Sequence, residues 1–363
     1  MENDVLTMKH APIEVTTHNI YFHEESPILS TDGIGGIVAT CGYDKVIRLW
    51  KFASQSRVYR SSTYRTAADA SVSLEFHREL GGFSKPINCI RFYKYECASI
   101  EMCPIQEHGV AQLSDSFLLA GCSDGGRIVV YDGEHQNVVR EGDGDDAYEL
   151  CWGPSLLMAG FASGRVEMYR MERKNPVDPD GDQKESVTFI LTASETIHSG
   201  TVQGMAFNSR YGLLATHSLD RSVRVLLAEN NGLRLLSVFD KKIDNSRSLF
   251  KRLYFADNSL YVFTKPNAIQ VYSYPFRAPH LQKRIGPLNS PVIKVVQNGA
   301  ILFVCTKKSI YVLENDELVT CIDNATFMAM TDAFVMDDIL FVSSMDGFLA
   351  TVRLDMFDRS MLQ

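Results

Sequence analysis

The sequence predicts an all-β, seven-bladed β-propeller closed by an N-terminal strand, and three observations carry that expectation. A strand-turn-strand unit returns seven times at a near-constant spacing. A further short strand precedes most of these units, and one extra strand-like run stands before the first of them. Units of this size cannot bury their own apolar faces, so radial stacking of neighbours is the physical solution.

The units are IVATCGYDKVIRLWKF (37–52), LLAGCSDGGRIVVYDGE (118–134), LLMAGFASGRVEMYRME (156–172), LLATHSLDRSVRVLLAE (213–229), LYVFTKPNAIQVYSYP (260–275), ILFVCTKKSIYVLEND (301–316) and ILFVSSMDGFLATVRLD (339–355). Their starts lie 81, 38, 57, 47, 41 and 38 residues apart, a period of about 40 once the first and third gaps are read as carrying insertions. Preceding strands are expected at 87–92, 148–152, 202–207, 250–255 and 292–296, bounded by Gly, Asn, Asp and Pro, and no long stripe of helical period occurs. The whole chain reads as one domain, with loop insertions at 53–71, 97–114 and 175–186. The run at 13–22 is expected to pair with the last unit and clasp the ring, because an open propeller would present two bare sheet edges.

Composition narrows the function. The 363 residues are 45% hydrophobic, enough for a large core, and no run of 18 apolar residues suggests a membrane span. The first ten residues carry Glu2, Asp4 and Lys9 and do not read as a secretory signal. Eight scattered cysteines fit reduced thiols in a nuclear or cytosolic protein. A formal charge of -8 argues against sequence-independent DNA binding and suits a basic protein partner.

No catalytic, metal or cofactor site is expected. Cys97, Cys103 and His108 lack both a zinc-like spacing and a fourth ligand. The acidic turn 178–182 resembles a calcium loop but has Phe189 where a bidentate Glu belongs. Gly33, Gly35 and Gly36 precede a strand and offer no helix N-terminus to a phosphate. His198 and Asp220 are expected to hydrogen-bond across the entry of a blade, with Thr216 or Ser218 supplying a hydroxyl. Asp44, Asp124 and Asp346 occupy the same turn in other units, and such repetition implies a structural role.

Candidate partner contacts are sought where the repeat is interrupted. The insertion 53–71 interleaves Arg57, Arg60 and Arg65 with Tyr59 and Tyr64, residue types favoured as interface anchors. Segment 141–149 holds five carboxylates, Asp143, Asp145 and Asp146 among them, that could seat a basic tail. Lys251 and Arg252 align with Gln203 and Gly204 at the start of an innermost strand. A pair of cations at the channel mouth is not required by the fold, so both are expected to meet a partner.

The order of several motifs resembles the WD-repeat subunit of chromatin assembly factor. They are DKVIRLWK (44–51), EFHREL (75–80), YELCW (148–152), HSGTVQG (198–204) continuing to LATHSLDRSVRV (214–225), SLFKRLYF (248–255) and SMDGF (344–348). Together they span about residues 13 to 355 and imply a nuclear, non-catalytic scaffold of a histone H3-H4 chaperone for replication-coupled nucleosome assembly. The implied partners are the complex's large subunit and H3-H4, with no sequence-specific nucleic-acid binding. The chain ends at Gln363 without the basic C-terminal motif of many relatives, so contact with a second histone chaperone is not expected. A related propeller of the HIR type serves replication-independent deposition and shares the HSG motif. A ubiquitin-ligase substrate receptor is the alternative of another class, yet Trp50 is followed by Lys51 and Phe52 rather than by the Asp-x-Arg such receptors present. A propeller hydrolase lacks its constellation of catalytic residues.

Overall fold

The computed structural model describes residues 13–19, 23–54, 72–95, 117–133, 135–174, 186–229, 232–240, 243–244, 246 and 248–354. Seven four-stranded antiparallel sheets are formed in sequence order and close into a ring. The strands nearest the axis are Ile28–Ile34, Ile87–Phe92, Ala147–Gly153, Val202–Asn208, Tyr254–Ala256, Val292–Asn298 and Met330–Met336. The insertions expected at 53–71, 97–114 and 175–186 lie outside the described residues, apart from Ala53, Ser54 and Ser186, which extend strands. The same holds for Arg57, Tyr59, Arg60 and Arg65, and for Cys97, Cys103 and His108.

The clasp forms as the sequence suggests. Ile13–Asn19 pairs antiparallel with Phe348–Leu354, from Ile13 opposite Leu354 to Asn19 opposite Phe348, and becomes the outer strand of the seventh blade. Apolar packing closes the same seam: Phe334, Phe341 and Leu349 of blade seven meet Ile28, Val38 and Trp50 of blade one in a single buried cluster. Phe334 and Phe341 stack at 4.8 Å, and Phe52 meets Phe341 edge-on at 5.2 Å. Comparable clusters fill the gaps between the other neighbouring blades.

A local irregularity recurs around the axis. In six of the innermost strands the register slips by one residue at the same place, between Ile28/Ser30, Ile87/Cys89, Ala147/Glu149, Val202/Gly204, Val292/Lys294 and Met330/Asp332. Such a bulge re-aims the side chain that follows it. In the fifth blade the innermost strand is short, and Arg252 makes an isolated parallel bridge with Lys294 instead. Ser30, Cys89, Glu149, Gly204, Arg252, Lys294 and Asp332 thus occupy equivalent positions around the channel. Gly204 is required here: a Cβ would lie 1.7 Å from the Lys251 carbonyl oxygen, because the chain at Lys251 docks onto the fourth blade through its amide and the Gln203 carbonyl, 2.8 Å apart.

Opposite Gly204 stands His217, fully buried, with neither ring nitrogen hydrogen-bonded. Burial pushes its pKa down to about 3; nearby Lys251 and His198 add to the effect, while Asp244 and Asp220 oppose it. The folded value lies below that of the unfolded chain, so the unfolded state binds the extra proton as pH falls below about 6.5. We predict that the stability His217 allows at neutral pH is lost on acidification, by about 2 kcal/mol at pH 5. Urea unfolding at pH 7 and pH 5 should show this loss reduced in His217→Leu; an equal pH response in both proteins would refute it. Deleting residues 1–22 should expose the Phe348–Leu354 edge and give an aggregating protein without a cooperative melt. A monodisperse, cooperatively melting truncation would contradict the clasp.

Candidate functional site

The side chains re-aimed by the bulges converge in the channel on a network of charges. Arg252 sits at its centre, only 1% exposed. Its Nη1 donates to both Glu149 oxygens at 2.8 and 3.0 Å, its Nε lies 3.3 Å from Asp332 Oδ1, and its Nη2 donates to the carbonyls of Leu29 and Asn88. Arg91 bridges the same two carboxylates, 2.7 Å from Glu149 and 2.8 Å from Asp332. Lys294 reaches Asp332 at 3.0 Å, and Ser30 Oγ donates to it at 2.7 Å. One layer further out, Lys94 pairs with Asp32 at 2.6 Å, while the amides of Phe92 and Gly33 also donate to that carboxylate.

Burial alone would raise the Asp332 pKa, yet Arg252, Arg91 and Lys294 outweigh it and hold the carboxyl well below the usual range. Asp332 therefore stays ionised at neutral pH. Buried ions in such numbers are tolerated only when each is paired, because an orphaned one carries its full desolvation cost.

This arrangement corrects the expectation for Lys251 and Arg252. Both sit at the start of the fifth innermost segment, as aligned, but neither faces a partner: Lys251 is fully buried, its Nζ bonded to Asp244 and to Ser246 Oγ. Burial lowers the Lys251 pKa, with Asp244 partly restoring it. The fold does use both cations: Asp244 supplies the opposite charge for Lys251, and Glu149 and Asp332, at equivalent positions of the third and seventh blades, supply it for Arg252. Comparison of all seven innermost strands, rather than two neutral ones, would have revealed the complement.

The acidic segment is likewise engaged within the chain. Asp143 pairs with Arg140 and, at 3.0 Å, with Arg165; Asp145 accepts from the Ser163 amide and hydroxyl; Asp146 accepts from the Gly125 amide at 2.6 Å. These carboxylates fasten the turns of blades two and three together, and Glu149 belongs to the channel.

The expected bonds of His198 are present. Its Nδ1 lies 3.0 Å from Asp220 Oδ2 and its Nε2 2.8 Å from Thr216 Oγ1, so Thr216 and not Ser218 supplies the hydroxyl. The sequence reading missed an equivalent in the first blade. There His23 bonds Asp44 at 2.8 Å and Thr40 at 2.7 Å, and Trp50 Nε1 donates to Thr40 at 2.8 Å. The signal was a His ahead of the first innermost strand combined with the Trp at the third. In blade seven Thr326 takes the His position, and Asp346 instead accepts from the amides of Phe327 and Met328 at 2.8 and 2.9 Å. In blade two Asp124 accepts from Asn88 Nδ2. All four turn aspartates brace backbone or a neighbouring side chain.

The two faces of the ring differ. On the face where innermost strands begin, the rigid turn at Asp346 holds Phe327 82% and Met328 56% exposed, and Tyr43, Leu219 and Leu249 are also exposed there. On the face where innermost strands end, the channel opens into a cavity of about 500 Å³ floored by Arg91 and Lys294. Among the described residues no group of three His, Cys, Asp or Glu side chains is placed to hold a metal.

We predict that Arg252→Met costs about 3 kcal/mol of stability, since it removes the cation bonded to both Glu149 oxygens and leaves Arg91 to compensate Glu149 and, with Lys294, Asp332. The exposed Arg170→Ala should stay within about 0.5 kcal/mol. Equal denaturation midpoints for the two variants would show that the channel charges contribute nothing.

No family model matches the chain, and no curated protein matches it significantly. Among solved structures, the chain is similar to the WD40 β-propeller domain of Doa1, at 13% identity and a TM-score of 0.61, covering 93% of this chain and 95% of that one. It is also similar to the computationally designed Ika8 protein, at 13% identity and a TM-score of 0.55, covering 90% of this chain and 96% of that one. At this identity the likeness speaks to fold alone, and it agrees with the seven four-stranded blades of a seven-bladed β-propeller.

Proposed function

We propose that the protein is a non-catalytic interaction scaffold, serving in the nucleus as the WD-repeat subunit of a chromatin assembly complex that handles histone H3-H4 during replication-coupled nucleosome assembly. The fold supports the first part, because WD40 propellers generally act as rigid platforms for other proteins. The observation that carries the second is the order of the motifs at 44–51, 75–80, 148–152, 198–225, 248–255 and 344–348 along the ring. The formal charge of -8 agrees with a basic partner.

With Lys251 and Arg252 inside the ring, the contact surface is assigned elsewhere. Phe327 and Met328 stand where the fourth blade has Ser199 and Gly200, so the turn does not need apolar residues there. Exposed aromatic and Met side chains held by a rigid turn are the residue types that anchor interfaces.

Purification of the native protein with mass identification of its companions tests the reading. A large chromatin-assembly subunit and H3-H4 are expected; a ligase adaptor without histones would replace the reading with that of a substrate receptor. The double variant Phe327→Ser, Met328→Ser should keep the wild-type melting temperature and lose at least about tenfold in partner recovery. Undiminished recovery would remove these two residues from the interface.

A further inference from the structure

The cavity on the face where the innermost strands end has a chemistry that the scaffold itself does not use. Its floor is the outer surface of the channel network, in which four cations, Arg91, Lys94, Arg252 and Lys294, meet three carboxylates, Asp32, Glu149 and Asp332. The surplus positive charge is not spread evenly. Arg252 is sealed below, whereas the Lys294 side chain is 18% exposed and that of Lys94 47% exposed, both toward the cavity. Burial, and after it Arg91, lowers the Lys294 pKa despite the bond to Asp332.

The walls and rim add two further properties. Tyr95, Trp152, Tyr254 and Phe334 line the sides with aromatic surface. At the rim stand Asp337 and Asp338, both exposed, so the cavity is positive at its base and negative at its lip. A volume of about 500 Å³ lies in the range of pockets that hold ligands and admits a side chain with its neighbours, not a folded domain.

We propose that this cavity binds a peptide segment in which an acidic residue is flanked by basic ones, the carboxylate seated between Lys94 and Lys294 and a neighbouring ammonium or guanidinium group meeting Asp337 and Asp338. The carboxylate balances the fourth cation against the three carboxylates of the network, through charge-assisted hydrogen bonds, the stronger kind. The aromatic walls cover the aliphatic stems of the flanking side chains. This inference rests on the reading of the ring as an interaction scaffold.

The test uses the full chain and a fluorescein-labelled peptide, Lys-Glu-Lys capped at both ends, measured by anisotropy at low ionic strength. The Gln counterpart of this peptide serves as its control. The Glu peptide is expected to bind saturably and the Gln peptide at least about tenfold more weakly. Lys294→Met and Lys94→Gln should each weaken the Glu peptide by a similar factor. Lys94 is half-exposed, so its variant remains informative if Lys294→Met fails to fold. Asp337→Asn with Asp338→Asn should weaken it further while leaving discrimination of Glu from Gln intact. No saturable binding of the Glu peptide, equal binding of the two peptides, or unchanged binding in Lys94→Gln would each overturn the proposal. A protein that captures its native partners but ignores the peptide loses this inference and not the scaffold reading.

Discussion

The constraint on which the ring depends is the pairing of charges inside its channel. Seven blades leave a gap at the axis that apolar side chains do not fill here. Instead the bulge of six blades, and the bridge at Arg252 in the fifth, set equivalent positions around the axis, and the charges meet: Arg252 and Lys294 from blades five and six, Glu149 and Asp332 from blades three and seven, with Arg91 bridging both carboxylates. Arg252 ties blade five to blades three and seven, and Arg91 ties blade two to blades three and seven, so the network reports whether the whole ring has assembled. Desolvation makes it costly to form piecemeal, since any incomplete set leaves a buried ion without its partner. The plug therefore favours an all-or-none ring over partly stacked intermediates.

Gly204 and His217 illustrate how that plug shapes its surroundings. Arg252 reaches the centre because the fourth blade gives up its inward side chain and allows the Lys251 carbonyl to approach. His217 fills the second strand opposite that glycine, where blades one, two and six carry Cys41, Cys122 and Cys305. The neutral, unbonded imidazole is thus a consequence of packing around the plug and needs no catalytic explanation.

Much of the architecture was legible in the sequence because each blade repeats the same local instruction. Hairpin period, the strand before each hairpin and the unpaired N-terminal run sufficed for blade number and closure. The bonds of His198 were legible for the same reason, as His and Asp fall at fixed places in the repeat. The role of Arg252 was not, because its partners Glu149 and Asp332 lie about 80 to 100 residues away on other blades and the meaning of a charge depends on the six equivalent positions, whereas Lys251 is paired with Asp244 in the loop just before it. His23 escaped notice because one extra residue separates it from its strand compared with His198. The fate of the acidic segment 141–149 depended on Arg127 and Arg140 of blade two and on Arg165, which reaches Asp143 from blade three.

Native-state amide hydrogen exchange measures the central claim most directly, because it compares the stability of inner and outer strands in one intact protein. The account predicts that amides of the innermost strands around residues 90–92, 150–152, 294–296 and 332–334 form the slowest set and exchange together. Outer strands such as Ser186–Thr196 and Gly232–Phe239 should open first. Innermost strands that exchange as fast as the outer ones, or blade by blade at unrelated rates, would contradict the view that the charged plug holds the ring as a single unit.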